Sequence, residues 1–356
     1  MSFKQYTALD IPSVCDINRI PKRWTAISTF SGCGGASLGL RMANYKVLYA
    51  NEFIPSAAAV YTANKSPGTK LDTRDIRTVK PEEILRKFGM RRGELDYFDS
   101  SPPCKMYSSA ARFSRIGKDA SGVVRYSDWV NQRVDDLFDE FLRLRDGLMP
   151  KIFVAENVPG MTQSISQGFF LDILKRMGKG YRVKACIIDP SLLGVPQVRK
   201  RLVFIGVRND LGVDPVFPVP YTSPPLGVRD VCPKIYQVGT GKAEWRDARL
   251  PGPVLTVIAA RADEMSAMSA SGFVKTLDGD ARKLTIPELT RYFGFPSDFK
   301  LEGVMVPNKK GILNPATFEQ SWERLARTHV PLQVYNIAAT LTERILVPYY
   351  SRKHLG

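Results

Sequence analysis

Ala26-Ile27-Ser28-Thr29-Phe30-Ser31-Gly32-Cys33-Gly34-Gly35 begins as a short apolar run and stops in a glycine turn. Read as a strand entering a turn and then a helix, it lets backbone approach a nucleotide closely, as in dinucleotide sites. Tight strand-to-helix turns also use glycine for steric reasons alone. The next apolar run, Lys46 to Ala50, ends at Asn51-Glu52, with Phe53 behind it. An acid roughly 20 residues past the first strand is the expected partner of a ribose hydroxyl in such units, although a solvated loop carboxylate explains it as well.

Working outward, Leu95 to Asp99 leads into Ser100-Ser101-Pro102-Pro103-Cys104, and Lys151 to Ala155 leads into Glu156-Asn157-Val158. Arg201 to Val207 is a late strand. Short apolar strands alternating with amphipathic helices predict an α/β fold: a Rossmann-like, doubly wound, mostly parallel sheet. Candidate residues then gather past the carboxyl ends of the strands, the edge where open α/β sheets bind ligands. Asp75-Ile76 is expected to end a third strand, though a turn aspartate is the competing reading.

From about Asn209 the texture changes, with Pro215, Pro218, Pro220, Pro224 and Pro225 interrupting any long element. The expected organisation is an N-terminal extension (1–23), a catalytic and cofactor-binding domain (24–208), a small irregular or β module (209–281), and a C-terminal segment (282–356) packing back on the first domain. Ile286 to Tyr292 and Val334 to Leu346 are expected helices.

Charge points to the partner. The 356 residues carry a formal net charge of +16, which favours a polyanion, although a basic protein with no nucleic-acid role has the same balance. Lys105, Arg112, Arg115, Lys118 and Arg125 follow Cys104 with only Asp119 against them, among Ser108, Ser109 and Gly117. That run reads as a phosphate-seeking loop. No apolar run approaches a membrane span and no signal-peptide core opens the chain, so a soluble, cytoplasmic protein is expected. Five cysteines without CxxC pairs and two histidines argue against a metal site and fit a reducing interior.

Cys104 is the sharpest candidate. Most lone cysteines are inert packing residues, but positive surroundings favour the reactive thiolate. With no histidine nearby in sequence, a papain-like protease is disfavoured. A thiolate without histidine can add to carbon 6 of a pyrimidine if a donor protonates ring nitrogen 3. Glu156, with its pKa raised in a closed pocket, could supply that proton; a loop or helix-capping pair is the bland reading of Glu156-Asn157. Arg199 and Arg201 alternate along an extended segment and could grip a phosphate and the base while orienting Glu156, or could form a surface ion pair.

Together these residues resemble the DNA (cytosine-5)-methyltransferase family, bacterial or phage type, with the motifs in family order. Phe30 to Gly39 resembles the first cofactor motif, Pro103-Cys104 the nucleophile motif, Glu156-Asn157-Val158 the base-anchoring motif and Gln197-x-Arg199-x-Arg201 the family's QxRxR. Arg282 to Thr285, Glu288, Arg291 and Gly294-Phe295-Pro296 fit a late structural motif, and Gln333-x-x-Asn336 resembles the last motif, which closes over the cofactor. The resemblance implies a class I methyltransferase fold and S-adenosyl-L-methionine as donor. Its implied contacts are Phe30, Gly32, Cys33, Gly34, Gly35, Glu52, Phe53, Asp75, Ile76, Pro103, Leu137 and Asn336. It further implies a monomer acting on double-stranded DNA, no metal, a cytosine flipped onto Cys104, and residues 209–281 as the target-recognition domain. Restriction-modification and phage self-protection both stay open. Three departures stand out: Lys105 where the family usually has glutamine, Tyr335 where it usually has glycine, which puts the local backbone in question, and Ile337-Ala338-Ala339 in place of the usual small-residue and proline pattern. A non-catalytic DNA-binding relative and an RNA cytosine-5 methyltransferase are the alternatives.

Overall fold

The computed structural model describes residues 3–103, 123–125, 131–134, 136–162, 167–221, 225–239, 245–247, 273–278 and 281–353. Its centre is a seven-stranded sheet in the order β3-β2-β1-β4-β7-β9-β8. These strands are β1 (Trp24–Thr29), β2 (Tyr45–Asn51), β3 (Lys70–Asp72), β4 (Tyr97–Ser100), β7 (Ile152–Asn157), β8 (Tyr181–Ile188) and β9 (Arg201–Arg208). Two short strands outside the sheet, β5 (Val123–Arg125) and β6 (Asn131–Arg133), pair with each other. Strands β3, β2, β1, β4 and β7 run parallel, whereas β9 is antiparallel to both β7 and β8. The result is the Rossmann-like, mostly parallel sheet expected from the sequence, with β9 as its one reversed strand.

The central strands read as near-continuous apolar runs because helices cover both faces. One face packs helices α1 (Val14–Arg19) and α2 (Gly35–Met42) and the C-terminal helices, with Leu38, Leu40, Val203, Ile205, Leu332 and Leu341 in its core. The other face packs the helices Leu137–Leu148 and Gln167–Met177 through Phe98, Phe141, Phe153 and Phe204. The five strands given ranges from the sequence are present, as is the third strand expected before Asp75, and β8 is an addition. The third strand ends at Asp72, short of Asp75, which instead caps a single 3₁₀ turn over Ile76–Thr78.

Between 235 and 283 lies a four-stranded antiparallel sheet: Trp245–Asp247, Ile235–Gly239, Phe273–Thr276 and Ala281–Lys283, in that order. Its last strand crosses the boundary expected at 281/282. Its buried Ile235, Val238 and Val274 join the core beneath α2. The N-terminal extension is a strap: Phe3 N–H donates to Glu343, and Lys4 O accepts from Tyr335 Oη at 2.5 Å. Tyr6 packs its ring at a tilt against Tyr335 and accepts from Tyr221 Oη through its carbonyl.

Candidate active site

Thr29 pairs with both Asn51 and Ser100, and Ser100 with Ala155, so four parallel strands end on one rim. Strand β9 enters this rim from its amino end, placing Leu202 opposite Asn157 and Val203 opposite Glu156. Arg201 therefore stands at the rim because its strand is reversed.

The glycine turn occupies the end of β1. Phe30 at φ 54° holds a left-handed backbone that a bulky residue adopts only under constraint, and Gly34 at φ 101° begins α2 in a conformation open mainly to glycine. Gly35 is required for a second reason. A Cβ there would lie 2.0 Å from His329 O and 2.8 Å from Thr328 Oγ1, so the segment before helix Pro331–Leu341 lies directly on the turn. Glu52 ties this loop together, accepting from Gly32 N–H through Oε2 and from Ile54 N–H through Oε1, each at 2.7 Å. Gly32 leaves room beside it: the nearest atom to a Cβ there would be Thr328 Oγ1 at 3.9 Å.

The proline segment is fastened between the two neighbouring strand ends. Ser101 Oγ donates to Phe30 O at 3.1 Å, and Asn157 Nδ2 donates to Pro102 O at 3.3 Å. The described segment ends at Pro103, and Cys104 lies outside the described residues together with Lys105, Ser108, Arg112, Arg115 and Lys118.

Glu156 is the centre of charge. Its Oε1 lies 2.8 Å from Arg201 Nε and its Oε2 lies 2.5 Å from His329 Nε2, with its side chain 10% exposed. Burial would raise its pKa, but His329, Arg201 and Arg199 outweigh burial and hold the carboxyl down at about 2. The raised pKa expected from a closed pocket is thus corrected, because the pocket is closed by cations. Burial likewise works against a charged His329, yet Glu156 and then Asp99 raise its pKa above the usual value. The proton of the pair resides on the imidazole.

Asp99, in β4, is 2% exposed and accepts from Ser28 Oγ at 2.9 Å. Burial pushes its pKa up to about 6 against the pull of His329 and Ser28, with Glu156 pushing further upward. Arg199 does not share the position of Arg201. Its buried guanidinium donates to Ala326 O at 2.6 Å and Thr328 O at 3.3 Å and lies over the Phe293 ring, clamping the segment that carries His329.

The remaining expected residues separate. Cys33 is fully buried with its thiol pKa pushed up to about 11 by burial, and it contacts Arg324 O. Phe53 packs on Ile54 and Ala57. Asp75 is paired with Arg77 at 3.0 Å, while the Ile76 and Leu137 side chains are buried in the second core. Asn336 lies inside helix Pro331–Leu341, where Nδ2 donates to Leu332 O and Tyr221 Oη. The segment over the glycine turn is Thr328-His329, earlier in the chain. Tyr335 is helical too, so the positive φ it was expected to strain does not arise there.

His329 and Asp99 were missed as site residues. Neither has a sequence spacing to Glu156 that signals contact; a buried acid inside an apolar strand is the one clue Asp99 offered. Among the described residues, no cluster of three or more histidine, cysteine or acidic residues could hold a metal ion, and no helix is long and apolar enough to cross a membrane.

A family model described as C-5 cytosine-specific DNA methylase matches residues 24–231. The type II methyltransferase M.NgoPII of Neisseria gonorrhoeae is 35% identical over 193 residues, which cover 54% of this chain and 50% of that protein. The DNA (cytosine-5-)-methyltransferase M.ApeKI of Aeropyrum pernix is 31% identical over 225 residues, covering 53% and 45%. The chain spans about half the length of the curated relatives it matches. Among solved structures, a candidate DNA modification methyltransferase from an E. coli prophage superposes with a TM-score of 0.64 at 18% identity, covering 91% of this chain and 100% of that one. A DNMT2 variant from Spodoptera frugiperda gives 0.60 at 17% identity, covering 90% and 99%. At these identities the structural likeness speaks for the fold alone.

Proposed function

The chain belongs to the C-5 cytosine-specific DNA methylase family, and on that premise we propose that it transfers a methyl group from S-adenosylmethionine to carbon 5 of a cytosine everted from duplex DNA, through a transient bond from Cys104. The observation that carries this reading is Glu156, held between Arg201 and His329 at the same rim as the proline segment leading into Cys104. The net charge of +16 suits a polyanionic substrate.

The donor would be held by the glycine turn from Phe30 to Gly35 and by the Glu52 carboxylate that braces it, with the space beside Gly32 suiting a nucleoside. When bound, it supplies the electrophilic methyl that carbon 5 takes. The chain's own residues prepare the ring. Cys104 adds as thiolate to carbon 6, and a proton delivered to ring nitrogen 3 through Glu156 moves the displaced electron pair to carbon 5. Arg201 fixes the plane of the Glu156 carboxylate. Everting the base costs a few kcal/mol of stacking and pairing, offset by contacts to base and phosphates. Residues 209–281, which include most of the small antiparallel sheet, are assigned to target recognition.

Cys104→Ala tests the reading. Transfer of labelled methyl to duplex DNA should fall to background; retained activity would overturn it. Turnover on transfer RNA, and none on duplex DNA, would change the substrate class.

A further inference from the structure

Glu156 presents a difficulty to the reaction just described, on which this inference rests. Its carboxyl is ionised at neutral pH, so it has no proton of its own to give. We propose that His329 is a positioning residue that stores the proton Glu156 hands to ring nitrogen 3 of the everted cytosine.

The geometry leaves few other sources. Arg201 occupies Oε1 and does not release a proton in water. His329 Nε2 lies 2.5 Å from Oε2, and both side chains are nearly closed to solvent, at 8% and 10% exposure. His329 is also held in place from behind. Arg199 binds the carbonyls of Ala326 and Thr328, and the His329 carbonyl rests against Gly35. The charged groups acting on the imidazole are Glu156 and Asp99, which favour its protonation, and Arg201, which opposes it. Arg199 acts on the same site through Glu156.

The step balances. As the sulfur–carbon 6 bond forms, nitrogen 3 takes a proton from Glu156 and Glu156 takes one from His329, leaving the imidazole neutral. After methylation the carbon 5 hydrogen leaves as a proton to water, the sulfur–carbon 6 bond breaks, and the nitrogen 3 proton returns through Glu156 to His329. No net proton is drawn from the pair.

The test is the pH dependence of single-turnover methyl transfer to duplex DNA by wild type, His329→Asn and His329→Gln. Wild type should hold its rate through neutral pH and decline only once the imidazolium deprotonates. Each variant must instead rely on protonated Glu156, so its rate should fall about tenfold per pH unit from the acid side. By pH 8 each variant should lie at least tenfold below wild type, with the curves converging near pH 5.5. Equal donor and duplex binding by all three forms serves as the folding control. Curves that stay parallel at a constant ratio, or coincide, overturn the proposal. A variant too unstable to assay leaves a direct measurement on wild type. Its only histidines are His329 and His354, so ¹⁵N-histidine spectra should show one imidazole titrating above 6.5 and shifting downward in Glu156→Gln. Absence of that signal also overturns it. Full activity of Cys104→Ala would sink the parent reading, whereas parallel curves with an inactive Cys104→Ala sink only the role of His329.

Discussion

Asp99→Asn should stabilise this protein above neutral pH and leave its stability nearly unchanged near pH 4. The carboxyl is 2% exposed and its folded pKa is about 6, against an ordinary value of 3.8. Burial is the largest cause, so the fold prefers the neutral form. Below 3.8 the group is protonated folded and unfolded, and titration contributes nothing. Between 3.8 and 6 the folded state binds the extra proton, so stability falls as pH rises through this window. Above 6 the full penalty is in place. A difference of roughly 2 pH units at 1.36 kcal/mol each gives about 3 kcal/mol. Asparagine is close to isosteric, cannot ionise, and its Oδ1 can still accept from Ser28 Oγ, as Asp99 does at 2.9 Å. Urea unfolding of both proteins at intervals from pH 4 to pH 8 gives the difference directly. A gain opening between pH 4 and 6 and then levelling off is expected. A pH-independent difference, or a loss at pH 8, would refute the burial of an ionised Asp99. Above pH 6 the retained charge favours the imidazolium of His329, so the variant's added stability should accompany a lower imidazole pKa.

Two further substitutions probe the frame around the site. Gly35→Ala places a Cβ 2.0 Å from His329 O, an overpacking penalty of about 1–3 kcal/mol against a helix-propensity gain of about 1 kcal/mol; urea unfolding should show a net loss with slower methyl transfer, and an unchanged midpoint would contradict the close approach. Asp96→Ala removes a buried carboxylate that lies 3.0 Å from Lys151 Nζ and accepts from Thr25 N–H at 2.8 Å and Tyr350 Oη at 2.5 Å. It should cost about 3–5 kcal/mol by the same assay, and a loss below 1 kcal/mol would count against the network.

The strands were legible because burial on both faces makes them apolar throughout, and Ala26 to Phe30, Lys46 to Ala50 and Lys151 to Ala155 announce themselves in that way. β8 was not, since at the sheet edge it alternates, sending Arg182 and Lys184 to Asp214 at the surface. The glycine turn and Glu52 were readable as a local pattern, fixed within one βαβ unit. Gln333-x-x-Asn336 reads as the segment that closes over the cofactor, whereas the contact with Gly35 is made by Thr328 and His329. That contact depends on how closely one helix start approaches another, which no spacing in the chain encodes.

The same reasoning explains why the protonation state of Glu156 could not be read from its own neighbours. Burial alone, the only influence visible from an apolar strand, points toward a raised pKa. The opposing charges arrive from two distant segments. Arg201 arrives because β9 runs antiparallel: across its eight residues a parallel β9 would place that end about 23 Å away, at the opposite edge of the sheet. That opposite edge is where Arg208 now lies, bonded to the carbonyls of Gly93 and Met149. His329 arrives because Arg199, two residues earlier, clamps the 326–328 segment instead of joining Arg201 at the carboxylate. One reversed strand thus sends its first arginine to Glu156 and the preceding one to the support of His329, so the ionisation of the site is a property of topology.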